Sequence, residues 1–374
     1  MKSTNSNEYL DRRINNRDLK AINAMMKAHS PLVHYPIIGF DFYKPADLRN
    51  RKKMGLVDFR AILDNNITSQ LLGLITDRQP ANKTKLSDET KIICGIAAYL
   101  VYSGIEIVPE IAHYERQRAF SSSEKIEDDL QLRIIDHLFP QILASLFMGR
   151  ISSIPKDAFN LAVNAVNNNS ITQENIISNP YDDLGQHDVS IGYSHLLLAW
   201  LLYKKESDAI VRLTKYLDWS FNYSLSSQAI NFYIALFLSD KRPAKLIKNV
   251  DTNDSEIIIK NLQNAAWDLF YLGMLESVPR RTEVKKSIWC FVTRDRPLKK
   301  AGSSIFSAVN DTNITSLFST YYNQSGVSAI FDYQKRIATR KDRAKQVNYV
   351  RTHLGKIIDN LELEVRQLLS KKRN

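Results

Sequence analysis

Four acidic residues stand at the polar ends of apolar runs: Asp64 in Ala61-Ile62-Leu63-Asp64-Asn65-Asn66, Glu115 in Ile111-Ala112-His113-Tyr114-Glu115, Asp268 in Ala265-Ala266-Trp267-Asp268-Leu269, and Asp295 in Phe291-Val292-Thr293-Arg294-Asp295. An acid at the C-terminal end of a buried strand sits where open α/β sheets place their ligand sites. Several acids converging there would make an all-oxygen pocket, which suits hard cations such as Mg²⁺ or Mn²⁺. Two such ions about 4 Å apart can cut a phosphodiester by in-line displacement. A metal-dependent nuclease is therefore the chemistry these residue types suggest. For Asp64 the competing structural reading is a helix N-cap after a buried strand.

The elements that must position these acids can be read around them. Residues 56–64 end as a short buried strand, and Ile67 to Ile75 follows with helical spacing, so Asp64 falls at a strand–helix turn. Asp88 precedes a long apolar helix, Glu89 to Tyr102, with Ser87 and Asp88 as candidate caps and Gly104 as its stop. Ile105-Glu106-Ile107-Val108-Pro109 reads as a strand, and Glu110 to Arg116 begins a helix carrying Glu115. Ile257 to Leu275 reads as one helix carrying Asp268, Pro279 to Ser287 as a basic loop, and Ile288 to Thr293 as a buried strand that ends just before Asp295. Leu298 to Ala301 starts the next helix. Pro36 to Tyr43 reads as a further strand, and Ala21 to Ala28 as a short helix.

Between about 119 and 255 helical periodicity dominates, in Leu130 to Phe147, Pro155 to Val166, Tyr193 to Tyr203, Ala209 to Asn222 and Ala229 to Leu238. Ala344 to Leu369 is a long basic amphipathic candidate.

Around Asp64 the pattern of apolar strand, Asp, any residue, Asn and apolar helix resembles the opening motif of PIN-domain nucleases. Thr293-Arg294-Asp295, after a strand and before a basic helix, resembles that family's closing motif. The order Asp, Glu, Asp, Asp also matches. The resemblance covers roughly 56–118 and 256–302, and it implies an α/β fold with a PIN-like parallel sheet flanked by helices. It further implies Asp64, Glu115, Asp268 and Asp295 as catalytic metal ligands, with Asn66 and Thr293 in support. The spacing between Glu115 and Asp268 departs from a compact domain of that kind. An all-helical insertion accounts for it. The expected organisation is an N-terminal extension (1–55), a core interrupted by the insertion (56–118, 119–255, 256–302) and a basic helical C-terminal extension (303–374).

Charge supports a polyanionic partner. The chain of 374 residues carries a net +11, yet it is uneven. Gln334 to Asn374 holds 12 Lys and Arg against 4 Asp and Glu, and Val278 to Lys300 holds 8 against 2. The remainder is mildly acidic. Cationic segments on such a body fit nucleic acid, although a solvated helix face would look the same. Arg280, Arg281, Lys285, Lys286, Arg294 and Arg296 are the candidate backbone contacts. Analogy favours RNA over DNA, and it makes a homodimer an expectation.

Tyr321, Tyr322, Phe331 and Tyr333 precede the tail and would either stack on bases or pack against the body. His187, Asp188 and His195 match no common metal spacing. No Gly-x-Ser-x-Gly or phosphate-binding glycine loop occurs, so a serine hydrolase or a nucleotide-dependent enzyme has no support. The two cysteines, Cys94 and Cys290, lie in apolar surroundings, as buried reduced thiols do. Met1 to Lys20 is polar, and no apolar stretch reaches the roughly 18 residues of a spanning helix. These features lead to the expectation of a cytoplasmic protein with no membrane partner. Two rivals to the nuclease remain: an inactive PIN-like nucleic-acid-binding protein, and a helical scaffold in which the acids are unrelated.

Overall fold

A computed structural model describes residues 14–34, 41–75, 85–108, 131–168, 182–223, 227–241, 247–281, 287–310 and 314–371, with the side chains of 182–188, 277–281 and 307–310 excepted. The chain divides into two compact units, one of residues 1–180 and 278–294, the other of 181–277 and 295–374.

The first unit is built on a four-stranded sheet in the order β1-β4-β2-β3, formed by β1 (Leu32–His34), β2 (Asp58–Leu63), β3 (Glu106–Val108) and β4 (Ser287–Val292). The apolar alternation of β2 tightens into Ala61-Ile62-Leu63, so its C-terminal half is buried on both faces, as befits a strand with neighbours on either side. β2 pairs in parallel with β3 and with β4, and Leu63 lies opposite Val292. The sheet expected to be parallel is mixed, because β1 runs antiparallel to β4, with Leu32 opposite Val292. An edge position tolerates this reversal, since only one of its sides must match a partner.

Around the sheet lie α1 (Asn16–His29), α2 (Pro45–Lys53), α3 (Asn65–Ile75), α4 (Asp88–Ser103), α5 (131–137), α6 (Pro140–Phe147) and α7 (Lys156–Asn168). The segment read as an N-terminal extension supplies α1, β1 and α2, and Ile22, Met26, Phe42 and Leu48 belong to this unit's core. The helix read across Leu130 to Phe147 is broken at 138–139, because Pro140 disfavours helical backbone in the residue before it. α4 starts on the side chain of Ser87, which accepts from the Thr90 N–H, and ends at Gly104 with φ +72°. At Gly95 the chains come close: a Cβ there would lie 2.6 Å from Met25 Cε and 2.9 Å from Phe147 Cδ2, so α4 needs glycine to meet α1 and α6. Cys94 and Cys290 are buried free thiols, and burial pushes Cys94 up to about 12.

Among its described residues the second unit holds helices and no strand: α8 (Asp182–Lys205), α9 (Ala209–Tyr223), α10 (Gln228–Leu238), α11 (Ser255–Arg281, whose last residues belong to the first unit), α12 (Arg296–Asn310), α13 (Ile314–Ser319), α14 (Gln324–Ala338) and α15 (Arg343–Ser370). The unit boundaries fall at 180/181, 277/278 and 294/295. The basic stretch read as a loop from Pro279 begins as the last turn of α11.

Trp200 and Tyr216 are completely buried in this unit. A polar chain threads the interior. The His195 Nδ1 lies 2.7 Å from the Tyr216 hydroxyl, which donates to Asn231 Oδ1 at 2.9 Å. Ser220 donates to the same oxygen and meets the Tyr333 hydroxyl at 2.9 Å. No helix among the described residues is long and apolar enough to cross a membrane.

Candidate functional site

Asp64 follows β2 at the point where β2 and β4 finish level. Its N–H donates to the Val292 carbonyl at 2.9 Å, which carries the ladder one residue past the strand. Thr293 is fully buried one residue past β4, and its N–H donates to the Pro31 carbonyl. The parallel register therefore sets Thr293 beside Asp64, and its hydroxyl donates to Asp64 Oδ2 at 2.7 Å. The other oxygen, Oδ1, accepts the Asn66 N–H at 3.1 Å, and the Asp64 carbonyl receives the N–H groups of Ile67 and Thr68. Asp64 thus opens α3 in the manner of a capping residue, with the helix N-terminus favouring its negative charge. Asn66 reaches it through the backbone, while its side chain is exposed.

Arg294 points elsewhere within the same unit, onto Glu89 in the first turn of α4 at 2.7 Å. Both side chains are substantially exposed, so the pair contributes little to stability.

In the second unit Asp295 caps α12. Its Oδ1 accepts the Leu298 N–H at 2.9 Å and its carbonyl accepts the Lys299 N–H at 3.0 Å. Pro297 fits the first turn, where no N–H is needed. Asp268 is half-buried along α11. Both carboxylates act on one group the motifs did not single out, the buried Tyr233 of α10. Burial first, and then the charges of Asp268 and Asp295, push its phenol well above the ordinary range. The signal available in the sequence was slight: Tyr233 and Asn231 are the only polar side chains between Ala229 and Leu238.

The remaining candidates divide as follows. Glu115, Lys285 and Lys286 lie outside the described residues. Arg280 and Arg281 end α11, with side chains outside the description. Arg296 is exposed at the start of α12. Of the aromatic residues before the tail, Tyr322 and Tyr333 are buried, the first donating to the Ala235 carbonyl, so packing is their role. His195 is buried against Tyr216 and Trp219, and burial pushes it down to about 3, so it stays neutral.

Carboxylate oxygens are the right donors for Mg²⁺ or Mn²⁺, and a hydroxyl holding Asp64 is the type of contact that orients a ligating carboxylate. The donor count falls short: among the described residues no group of three or more His, Cys, Asp or Glu is placed to hold an ion. The described residues alone do not make a complete metal centre. No protein-family model, curated protein or solved structure matches this chain.

Proposed function

We propose that this chain is a metal-dependent endonuclease that hydrolyses phosphodiester bonds, with RNA favoured over DNA. The observation that carries the reading is the Asp64–Thr293 pair. A carboxylate at the C-terminal end of a buried parallel strand is held through a 2.7 Å bond by a buried hydroxyl of the neighbouring strand. Sites of open α/β sheets lie at such strand ends. The resemblance to PIN-domain nucleases supplies the rest: Asp64, Glu115, Asp268 and Asp295 as ligands of Mg²⁺ or Mn²⁺.

Such an ion, when bound, supplies an activated water and charge neutralisation at the phosphate. The protein's own contribution rests with named groups. Thr293 fixes one oxygen of Asp64, and the α3 N-terminus favours its negative charge. Arg280, Arg281, Lys285, Lys286, Arg294 and Arg296 are proposed to meet the nucleic-acid backbone. Arg294 would exchange Glu89 for phosphate at small cost, since the existing pair is exposed. A cytoplasmic setting, a homodimer and a toxin, phage-defence or RNA-processing role belong to the same proposal.

A second reading, a nucleic-acid-binding protein that does not cut, draws on two observations. The described residues hold no three-ligand group, and Asp64 and Asp295 both serve as helix caps. Cleavage of a labelled single-stranded RNA with Mn²⁺ separates the two readings. The nuclease reading expects cutting by the wild type, none by Asp64→Asn or Asp295→Asn, and roughly 10- to 100-fold slower cutting by Thr293→Val. A folded wild type that binds RNA and leaves it intact transfers the conclusion to the second reading.

A further inference from the structure

On α15, Lys345, Tyr349, His353 and Lys356 recur at intervals that place them on one stripe of the helix. The Tyr349 and His353 rings stack, with centroids 4.4 Å apart and planes inclined by 19°. The His353 Nδ1 lies 2.9 Å from the Tyr349 carbonyl, which pins that ring over its neighbour. From the end of α9, Tyr223 joins Tyr349 at 6.4 Å, and Trp219 lies behind it at 6.5 Å. Tyr223 and Tyr349 are 46% and 42% exposed, which is unusual for rings gathered in a cluster rather than scattered singly.

The cluster is held in place from below. Buried Gln346 donates to the Phe221 carbonyl at 2.8 Å, and Arg340 donates to the same oxygen. Arg336 and Arg340 also lie over the Phe221 ring at 4.2 and 4.3 Å. Acids near this face are largely spoken for: Asp342 pairs with Arg340 and Asp218 with Arg336, each at 2.7 Å. Asp359 is exposed one turn beyond Lys356.

We infer that this face is a stacking platform for single-stranded nucleic acid. Bases would lie on Tyr223, Tyr349 and His353, and the backbone would follow Lys345 and Lys356. Exposed rings offer π-faces that any base can use, and flanking cations supply sequence-independent attraction. A duplex hides its base faces and could use only the cations. The inference rests on the nuclease reading for its ligand class, but it concerns binding and not cutting.

The test is fluorescence anisotropy of a labelled oligouridylate of about 12 nucleotides, in EDTA so that cutting cannot intervene. Tyr349→Ala and Tyr223→Ala should each weaken binding by roughly 5- to 100-fold, whereas Tyr349→Phe, which keeps the ring, should stay within about twofold. Lys345→Gln with Lys356→Gln should reduce the salt slope by about 1.4. Unchanged far-ultraviolet circular dichroism shows that the variants are folded, which the exposure of these side chains leads us to expect. Equal binding of oligothymidylate supports the same platform.

Wild-type affinity in both alanine variants overturns the inference, as does failure of the wild type to bind or equal affinity for a duplex. Failure of this inference and of the nuclease reading look different. Ring-dependent binding without Mn²⁺-dependent cutting removes the nuclease alone. Cutting without ring dependence removes the platform alone.

Discussion

In the sheet unit, Asp136 of α5 turns both carboxylate oxygens towards the N–H of Ile107 on edge strand β3, at 3.3 and 3.2 Å. In the helical unit, His195 of α8 faces the Tyr216 hydroxyl inside a network with Asn231, Ser220 and Tyr333. Each group answers a different need. The sheet has an edge whose N–H groups must find acceptors, and Asp136 supplies one. The helices satisfy most of their own backbone, so the polar side chains around His195 are free to serve one another. The consequence for ionisation is opposite. Burial leads the causes that push Asp136 well above the usual carboxylate range; the Ile107 N–H opposes it, Glu106 adds to it, and Lys52 and Arg133 oppose it. Burial alone pushes His195 down to about 3. Asp136 resists losing its proton and His195 resists gaining one.

The largest test of this contrast is bulk removal. Phe59→Ala in the sheet unit and Trp200→Ala in the helical unit each delete a fully buried ring, and each should cost about 3–5 kcal/mol. Trp200 also leaves the Val250 carbonyl without its donor, a 2.9 Å bond in the native protein. Hydrogen exchange followed by mass spectrometry shows where protection is lost. Loss confined to the unit that carries the substitution sharpens the contrast, and loss spread equally through both breaks it.

Titration comes next in size. Asp136 binds its proton more tightly folded than unfolded. Its contribution is full at low pH and fades as the pH rises above the unfolded carboxyl value of about 3.9. His195 binds its proton more weakly folded than unfolded. Its contribution is full above the unfolded imidazole value of about 6.5 and fades as the pH falls towards 3. Each slope has a ceiling of about 1.4 kcal/mol per pH unit. Asp136 is half-buried, in contact with some solvent, and should fall short of that ceiling. Urea unfolding between pH 4 and 7 should show Asp136→Asn gaining on the wild type as pH rises, and His195→Asn gaining as pH falls. Equal slopes in wild type and variants would remove the electrostatic contrast.

How much of this was legible follows from whether the signal is local. The strand–turn–helix around Asp64, the Ser87 cap, the Gly104 stop and the long helix through Ala344 to Leu369 all depend on residues within a few positions of one another, and they appear where the pattern put them. β1 did not. It is three residues long, too short for a period, and it is specified by pairing with β4 more than 250 residues later. Phe42 and Tyr43, read as the end of a strand, lie in a turn, and the rest of that strand from 36 to 40 is outside the described residues. Asp136, Tyr233 and Glu89 carry no local motif, since each gains its role from a partner brought by the fold. The Asp64–Thr293 contact was within reach because each residue ends a recognisable strand, and parallel register does the rest.

The smallest test uses two helix caps of the same chemistry. Ser87 accepts the Thr90 N–H at 3.0 Å at the start of α4, and Ser227 accepts the Ile230 N–H at 3.2 Å at the start of α10. Ser87→Ala removes the side-chain acceptor of an exposed helix end and should cost about 1 kcal/mol. At α10 the buried carboxylate of Glu276 also receives the Ala229 N–H, at 2.8 Å. That second acceptor continues to hold the first turn and to favour its dipole. Ser227→Ala should therefore cost only a few tenths of a kcal/mol, below the usual cap penalty. In a Glu276→Gln background the amide oxygen still accepts but the charge is gone, and the same Ser227→Ala step should rise towards about 1 kcal/mol. A double-mutant cycle by urea unfolding reads that difference. A Ser227→Ala penalty as large as that of Ser87→Ala in both backgrounds would mean that the helical unit gains nothing from its buried carboxylate beyond what the sheet unit obtains from a single hydroxyl.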